Sequence, residues 1–287
     1  MADGKVPVRE SVGAALRFVR ENWRPILTIS AVSAVVSTVL AVLSNAAGPL
    51  SLLITIASTF VVSVTYGAFT SSCLTGFAGV QQRLISDGLR VWGAMAIVGF
   101  FLFIVMIVLA IPGVIVFAVM IGPTYGAELQ QVSGDEAATT ALMGRIVTEN
   151  PGMILAFLLF YGLLWFALTS RLYLSAPASV EAKRILTFET WSWTRGNMWR
   201  IFGARLMLLL PAYVLVTGVS LLLASAIGLN ITDPMAAQAF AQANTPLYAI
   251  YLLCSGLLQL VLYTALEAGL STYLYRGLKP ATPPPPV

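Results

Sequence analysis

The 287-residue sequence has no histidine, two cysteines and few charged side chains. Histidine is the side chain that most often serves as a general acid or base near neutral pH. Cys73 and Cys254 lie inside long apolar stretches without ligand-like neighbours, so we expect no disulfide framework, metal site or cofactor. The G-x-S-x-G, H-E-x-x-H and phosphate-loop motifs are also absent. These absences predict a protein that is not an enzyme.

Charged residues make up 10% of the chain and hydrophobic residues 58%, whereas a soluble domain has roughly 25% charged residues. The outer surface must therefore face lipid. A helix needs about 20 apolar residues to cross the hydrocarbon core of a bilayer. Six stretches qualify: 25–45, 49–79, 91–121, 151–178, 201–229 and 245–275. The sequence predicts an all-α, polytopic membrane protein with six transmembrane helices.

The predicted organisation is a single six-helix membrane domain at 25–279, preceded by a cytoplasmic amphipathic segment, 1–24, and followed by a proline-rich disordered tail, 280–287. Of the sixteen basic residues, all except Arg145 fall before the first stretch, at the second-to-third connection, at the fourth-to-fifth connection and in its adjoining helices, or near the end of the last stretch. Because basic residues stay on the cytoplasmic side, both termini are expected there. The expected partners are membrane lipids with anionic headgroups, not nucleic acid. The sequence identifies no protein partner.

Short amphipathic helices are predicted to lie in the membrane interface before three of the spans. The first has Val8, Val12, Leu16, Val19 and Trp23 at helical spacing. The second covers 181–194, and the third, outside, has Ala138, Ala141, Leu142 and Ile146 on one face.

The second of these helices leads into an interfacial elbow, where the chain is expected to turn from the membrane surface into the bilayer. Its residues are Trp191, Trp193, Arg195, Gly196, Asn197, Trp199 and Arg200. Gly and Asn tolerate the left-handed conformation that ends a helix. Tryptophan prefers the headgroup level, and arginine reaches lipid phosphates. Simple anchoring and recognition of a particular lipid or curvature are both compatible with this pattern.

Small residues recur every four positions in the second span, including Thr59, Ser63, Gly67 and Ser71. Such rows allow helices to approach closely in a membrane. The first span carries a row at Ser33, Ser37, Ala41 and Ser44. We predict a tight hairpin of spans one and two, packed along these rows; a pore lined by hydroxyl groups is the alternative. Pro112-Gly113 should kink or break the third span.

Two charged residues lie at depth in the predicted spans: Glu267 in the sixth and Arg171 in the fourth. An unpaired charge there costs at least about 2.5 kcal/mol. We therefore predict an intramembrane ion pair between Arg171 and Glu267, with Arg205 as the second candidate cation. The alternative is that Glu267 couples the movement of a proton or cation to transport.

The stretch "RLYLSAPASVEAKRILTFETWSWTRGNMWRIF", residues 171–202, resembles the signature of a bacterial six-span family. That family is the membrane domain attached to some glycerophosphodiester phosphodiesterases, and it has free-standing relatives. The matching residues are Arg171, Leu172, Leu174, Pro177, Glu181, Ser192, Trp193, Thr194, Gly196, Asn197 and Trp199. A second segment, "IPGVIVFAVMIGPTYGAELQ", echoes the first half of the pattern with Pro123 and Glu128 but lacks its arginine.

The resemblance implies a free-standing, multi-pass protein of the bacterial inner membrane. The leading hypothesis is a non-enzymatic protein acting in envelope or lipid homeostasis, or as an accessory subunit. The alternative is a transporter of small molecules or lipids with a site near Arg171 and Glu267. An enzyme of lipid chemistry is a third hypothesis.

Overall fold

The computed structural model describes residues 6–46 and 48–279, and within those ranges it contains helices and no strands. The all-α prediction is confirmed. Residues 1–5, residue 47 and the predicted tail, 280–287, lie outside the described residues. The helices are α1 (Val8–Glu21), α2 (Trp23–Ala46), α3 (Ser51–Thr75), α4 (Val80–Gln131), α5 (Glu136–Glu149), α6 (Pro151–Arg171), α7 (Ser175–Ala182), α8 (Glu189–Trp193), α9 (Met198–Ala226), α10 (Pro234–Ala243), α11 (Thr245–Leu258) and α12 (Ala265–Leu278). A 3₁₀ turn covers Gly48–Leu50, and a π-helical segment covers Gln259–Thr264.

Six helical stretches of the described chain are long and apolar enough to cross a membrane: 23–44, 51–75, 80–131, 151–182, 198–226 and 245–278. They coincide with the six predicted spans. The third is longer than predicted at both ends. Its helix, α4, continues through both Pro112 and Pro123, so it is not broken at Pro112-Gly113. The fourth span ends at Arg171 and resumes as α7, and the sixth contains the π-helical segment.

The described residues form two compact units. The first contains the chain up to Ile97 and from Ser170 onward, and the second contains Val98–Thr169. The prediction of one membrane domain over 25–279 stays a prediction.

Helices α2 and α3 form the predicted hairpin in the first unit. They pack against each other along their length and are connected through the 3₁₀ turn Gly48–Leu50. Thr65 Oγ1 of α3 donates a 2.6 Å hydrogen bond to Ser33 Oγ of α2. A hydrogen bond between hydroxyl groups supplements the van der Waals packing on which helix association in lipid depends.

Helix α1 is the predicted amphipathic helix, but part of its apolar face contacts protein. Val8, Val12 and Val19 pack against the core of the first unit, while Leu16 is 49% exposed. α1 lies along α12 and also contacts α9. A Cβ atom built on Gly269 of α12 would lie 3.3 Å from Ala15 Cα. These two small residues therefore permit close backbone approach.

The second unit contains α5, the predicted amphipathic helix before the fourth span. Asp135 caps it, its carboxylate accepting a 3.0 Å hydrogen bond from the Ala138 main-chain N–H. Leu142 and Ile146 of α5 are buried with Ile121 and Tyr125 of α4. Of the face predicted for this helix, Leu142 and Ile146 are the residues that supply the core.

Candidate functional site

Arg171 does not form the predicted ion pair with Glu267; no such pair occurs within the described ranges. The Arg171 guanidinium instead lies over the ring of Trp191, 5.3 Å from its centroid. The main-chain carbonyl of Arg171 accepts a 3.1 Å hydrogen bond from Thr194 Oγ1. Arg171 is the last residue of α6. At this position its side chain contacts residues 189–194, and it does not reach α12. Arg171 therefore belongs to the elbow.

Arg205, the second candidate cation, lies in α9, which packs against the helix α12 that carries Glu267. Arg205 is 7% exposed. Its Nη1 donates a 2.8 Å hydrogen bond to Ser170 Oγ, and its guanidinium lies 4.5 Å from the centroid of the Tyr173 ring. A hydroxyl group and an aromatic face therefore offset part of the cost of placing this charge inside the bundle.

Tyr173 connects Arg205 to α12, because its hydroxyl donates a 3.2 Å hydrogen bond to the main-chain carbonyl oxygen of Glu267. We call Ser170, Tyr173, Arg205 and Glu267 the polar cluster. It joins the end of α6, the connection between α6 and α7, α9 and α12 at the level where the fourth span is interrupted. The polar cluster is the feature of the first unit that brings two charged residues into the apolar bundle.

The same face of α12 carries a second buried contact, one turn beyond Glu267. The hydroxyl groups of Tyr66 in α3 and Ser271 in α12 lie 2.8 Å apart and share a hydrogen bond. The sequence reasoning missed Tyr66. A tyrosine in an apolar stretch gives no signal of its partner, although a buried tyrosine hydroxyl normally requires one.

The elbow has a different local structure from the predicted helix 181–194. α7 ends at Ala182, Lys183 follows in the left-handed conformation with φ 55°, and α8 contains five residues, Glu189–Trp193. Ser179 Oγ stabilises this reversal by accepting a 2.9 Å hydrogen bond from the Leu186 main-chain N–H. The prediction of one amphipathic helix there is wrong because the chain reverses at Lys183.

The predicted stop before the fifth span is confirmed. Gly196 has φ 81°, a conformation that glycine adopts without steric cost, and α9 begins two residues later at Met198. Trp199 is 69% exposed, as expected of an aromatic residue at the level of lipid headgroups. Trp193 instead packs against Tyr275, with ring centroids 6.1 Å apart. Arg195 is exposed.

The elbow also holds the N-terminal helix. Asn197 Oδ1 accepts a 2.9 Å hydrogen bond from the Val6 main-chain N–H, and Arg200 Nη1 donates one of 3.2 Å to the Val6 carbonyl oxygen. Asn197 and Arg200 therefore fix the chain immediately before α1, in addition to any contact with lipid. This role could not be predicted from spacing, because Val6 and Asn197 are 191 residues apart.

Further contacts join the same end of the first unit. Arg276 Nη2 of α12 donates hydrogen bonds to the carbonyl oxygens of Cys73 (2.9 Å) and Leu74 (2.7 Å) in α3. Lys279 forms a 2.7 Å ion pair with Glu181. We call α1, the last turn of α3, residues 171–200 and the last turn of α12 the basic end. The sequence predicts that each of these segments lies on the same side of the membrane. In the structure they also contact one another.

Part of the small-residue row of α3 packs on α4, whereas the predicted partner was α2. A Cβ atom built on Gly67 would lie 3.3 Å from main-chain atoms of Asp87 and Gly88 in α4. Trp92 Nε1 of α4 donates a 3.3 Å hydrogen bond to Thr59 Oγ1. Ser63 and Ser71 are buried. At Thr59 and Gly67 the row therefore meets the first turns of α4.

Within the described ranges, no group of three or more Cys, Asp or Glu side chains is placed to hold a metal ion. Comparisons with family models, with curated proteins and with solved structures found no match for this chain.

Proposed function

We propose that this integral membrane protein is non-enzymatic and holds phospholipid headgroups at its basic end, acting in envelope or lipid homeostasis or as an accessory subunit. The observation that carries the proposal is the assembly of the basic end itself. Four chain segments, distant in sequence, meet there, and their exposed side chains include Arg195, Arg200 and Trp199.

Electrostatics supports a lipid partner with negative charge. Each basic residue near an anionic membrane surface contributes about 1 kcal/mol to binding. Arg184 and Arg195 are exposed at the basic end, next to aromatic rings that favour the headgroup level. The same basic residues support a cytoplasmic location for this end. The resemblance of residues 171–202 to the bacterial six-span family supports location in the inner membrane.

The proposal is tested by lipid retention. The full chain is placed in nanodiscs that contain phosphatidylglycerol, phosphatidylethanolamine and phosphatidylcholine. The lipids that stay bound when the protein is released are identified by native mass spectrometry. Replacing Arg184 and Arg195 with Gln should lower phosphatidylglycerol retention about thirtyfold, since two contributions of about 1 kcal/mol are lost. Arg145→Gln is the control, because Arg145 is the basic residue predicted on the other side. Equal retention by both variants would contradict the proposal.

A second candidate is a transporter, and the surroundings of Glu267 favour it. The Glu267 side chain is partly exposed and accepts no hydrogen bond from the described part of the chain. The π-helical segment Gln259–Thr264 ends three residues before it, and such segments often occur at functional sites. Beside this segment is a cavity of about 310 Å³, whose lining includes Ser37, Thr38, Ser255, Gln259 and Thr264.

Accessibility of this cavity to water tests the transporter. With Cys73 and Cys254 replaced by Ser, a single cysteine at Ser255 should react with a hydrophilic thiol reagent if an aqueous pathway reaches the cavity. A cysteine at Leu222, an exposed residue on the apolar surface of α9, is the matched control and should stay protected. Protection at both positions would eliminate the transporter.

A further inference from the structure

A cavity of about 740 Å³ lies between α1 and α12 at the basic end. Such a volume falls within the range of about 300–1,000 Å³ that is usual for ligand sites. Five charged residues line it: Arg9, Glu10, Arg17 and Glu21 of α1, and Arg276 of α12. The remaining lining includes Phe18, Thr272 and Tyr273.

Small residues leave the space for this cavity. α1 and α12 touch where Ala15 meets Gly269. A Cβ atom built on Gly13, by contrast, would have no neighbouring atom within 4 Å. Ala14 lines the cavity beside Gly13. The surface of α1 that carries Arg9 and Arg17 is therefore open, although the helix itself is docked.

The charged groups of α1 in this cavity have no partners in the described chain. Arg9, Glu10, Arg17 and Glu21 take part in no hydrogen bond or ion pair there. In other parts of the described chain some charged groups are paired, as Arg145 is with Glu128 and Glu149, and Lys279 with Glu181. Arg276 is held in position by its bonds to the carbonyl oxygens of Cys73 and Leu74.

Because the cavity presents both signs of charge, its ligand should also carry both. Arginine binds phosphate oxygens through several N–H donors, and a primary ammonium group offers three N–H donors to carboxylates. From this geometry we infer that the cavity binds the headgroup of a phospholipid that carries a phosphate and a primary ammonium group. Arg17 and Arg276 contact the phosphate, and Glu21, one helical turn from Arg17, contacts the ammonium group. The inference rests on the proposed function and adds to its anionic lipids a second class, a phospholipid with a zwitterionic headgroup that the cavity binds.

The position of the cavity agrees with a headgroup. Arg276 lies in the last turn of the sixth span, where arginine side chains reach the headgroup level. Phe18 stacks on Phe77, with ring centroids 6.1 Å apart, which provides apolar surface beside the charges for the first carbons of the lipid.

The test compares lipids that share the phosphate and differ in the amine. The full chain is placed in nanodiscs with equal amounts of phosphatidylethanolamine, phosphatidylcholine and phosphatidylglycerol, and native mass spectrometry counts each retained lipid. The choline group has no N–H donor, and the glycerol group has no cation. The wild-type chain should therefore retain phosphatidylethanolamine about tenfold over phosphatidylcholine, as expected for charge-assisted hydrogen bonds.

Substitutions test which side chains contact the phosphate and which contact the ammonium group. The variant Glu21→Gln should lose the preference for phosphatidylethanolamine while keeping the total amount of bound lipid. Arg17→Gln should lower the retention of phosphatidylethanolamine several-fold. Arg20→Gln should have no effect, since Arg20 is an exposed arginine of the same helix that does not line the cavity.

Two results would overturn the inference and leave the proposed function in place: equal retention of phosphatidylethanolamine and phosphatidylcholine, or equal effects of Arg17→Gln and Arg20→Gln while lipid is still retained. Loss of all specific lipid retention in the wild-type chain would overturn both.

Discussion

The guanidinium group of Arg205 lies 4.5 Å from the centre of the Tyr173 ring, inside a bundle of apolar helices. The Tyr173 hydroxyl reaches in the other direction, to the main-chain carbonyl of Glu267. One tyrosine therefore provides an aromatic face to a cation on α9 and a hydrogen-bond donor to α12. If this arrangement stabilises the first unit, the two contributions can be separated by substitution.

Replacing Tyr173 with Phe keeps the ring and removes the hydroxyl. We expect a loss of about 1 kcal/mol in the free energy of unfolding, the usual net value of a hydrogen bond. Tyr173→Leu removes the ring as well and should cost about 2 kcal/mol more, because the contact between the cation and the ring is desolvated. Unfolding of the detergent-solubilised protein by sodium dodecyl sulfate measures both. Equal losses in the two variants would show that the ring contributes nothing to Arg205.

The hydrogen bond between Val6 and Asn197 predicts how α1 is held. Asn197→Asp keeps an oxygen that can accept from the Val6 N–H, whereas Asn197→Ala removes it. Amide hydrogen exchange in residues 8–21 should therefore rise in the alanine variant and stay near the wild-type rate in the aspartate variant. The same exchange rate in all three proteins would mean that the hydrogen bond between Val6 and Asn197 does not hold α1.

The close approach of α3 and α4 predicts that Gly88 does not tolerate a side chain. A Cβ atom there would lie 2.5 Å from Val64 Cγ2 and 3.0 Å from Val64 Cα. Gly88→Ala should destabilise the first unit by about 1–3 kcal/mol, the usual effect of overpacking. Gly203→Ala is the control, because nothing lies within 4 Å of a Cβ atom at Gly203. The midpoint temperature of thermal unfolding in detergent should be lower for Gly88→Ala and unchanged for Gly203→Ala.

A similar contact occurs in the second unit. Tyr161 donates a 2.8 Å hydrogen bond to the Leu109 carbonyl oxygen, and a Cβ atom on Gly113 would overlap the Tyr161 hydroxyl oxygen. Gly113→Ala should displace Tyr161 and lower the thermal midpoint. Gly122→Ala, where nothing lies within 4 Å, should not.

Adding Tyr161→Phe to Gly113→Ala identifies the cause, because it removes the oxygen atom that the new methyl group meets. The double variant should be more stable than Gly113→Ala alone. If Tyr161→Phe lowers the stability further, the methyl group acts somewhere other than the Tyr161 hydroxyl.

The six spans could be predicted from the sequence because lipid requires long apolar helices, and that requirement is visible in composition alone. The turn at Gly196 was equally accessible, since the left-handed conformation strongly favours glycine. Both follow from local chemistry, without knowledge of which helices are neighbours.

The partners of residues could not be predicted in the same way. A row of small residues indicates close packing but not against which helix, and Gly67 meets α4 because Gly88 offers a second position without a side chain. Depth in the membrane suggested Arg171 as the partner of Glu267. Depth alone did not reveal that the chain reverses at Lys183 and brings Trp191 to Arg171.

The account depends most on the basic end facing the cytoplasm, and cysteine labelling at the two ends of α9 tests this directly. In a chain with Cys73 and Cys254 replaced by Ser, one cysteine is placed at Arg195 in the elbow and, in a second variant, at Thr232 beyond the other end of α9; both positions are exposed. A membrane-impermeant thiol reagent added to intact cells should label the cysteine at 232 and should label that at 195 only after the membrane is opened. Labelling of the cysteine at 195 in intact cells would contradict the account.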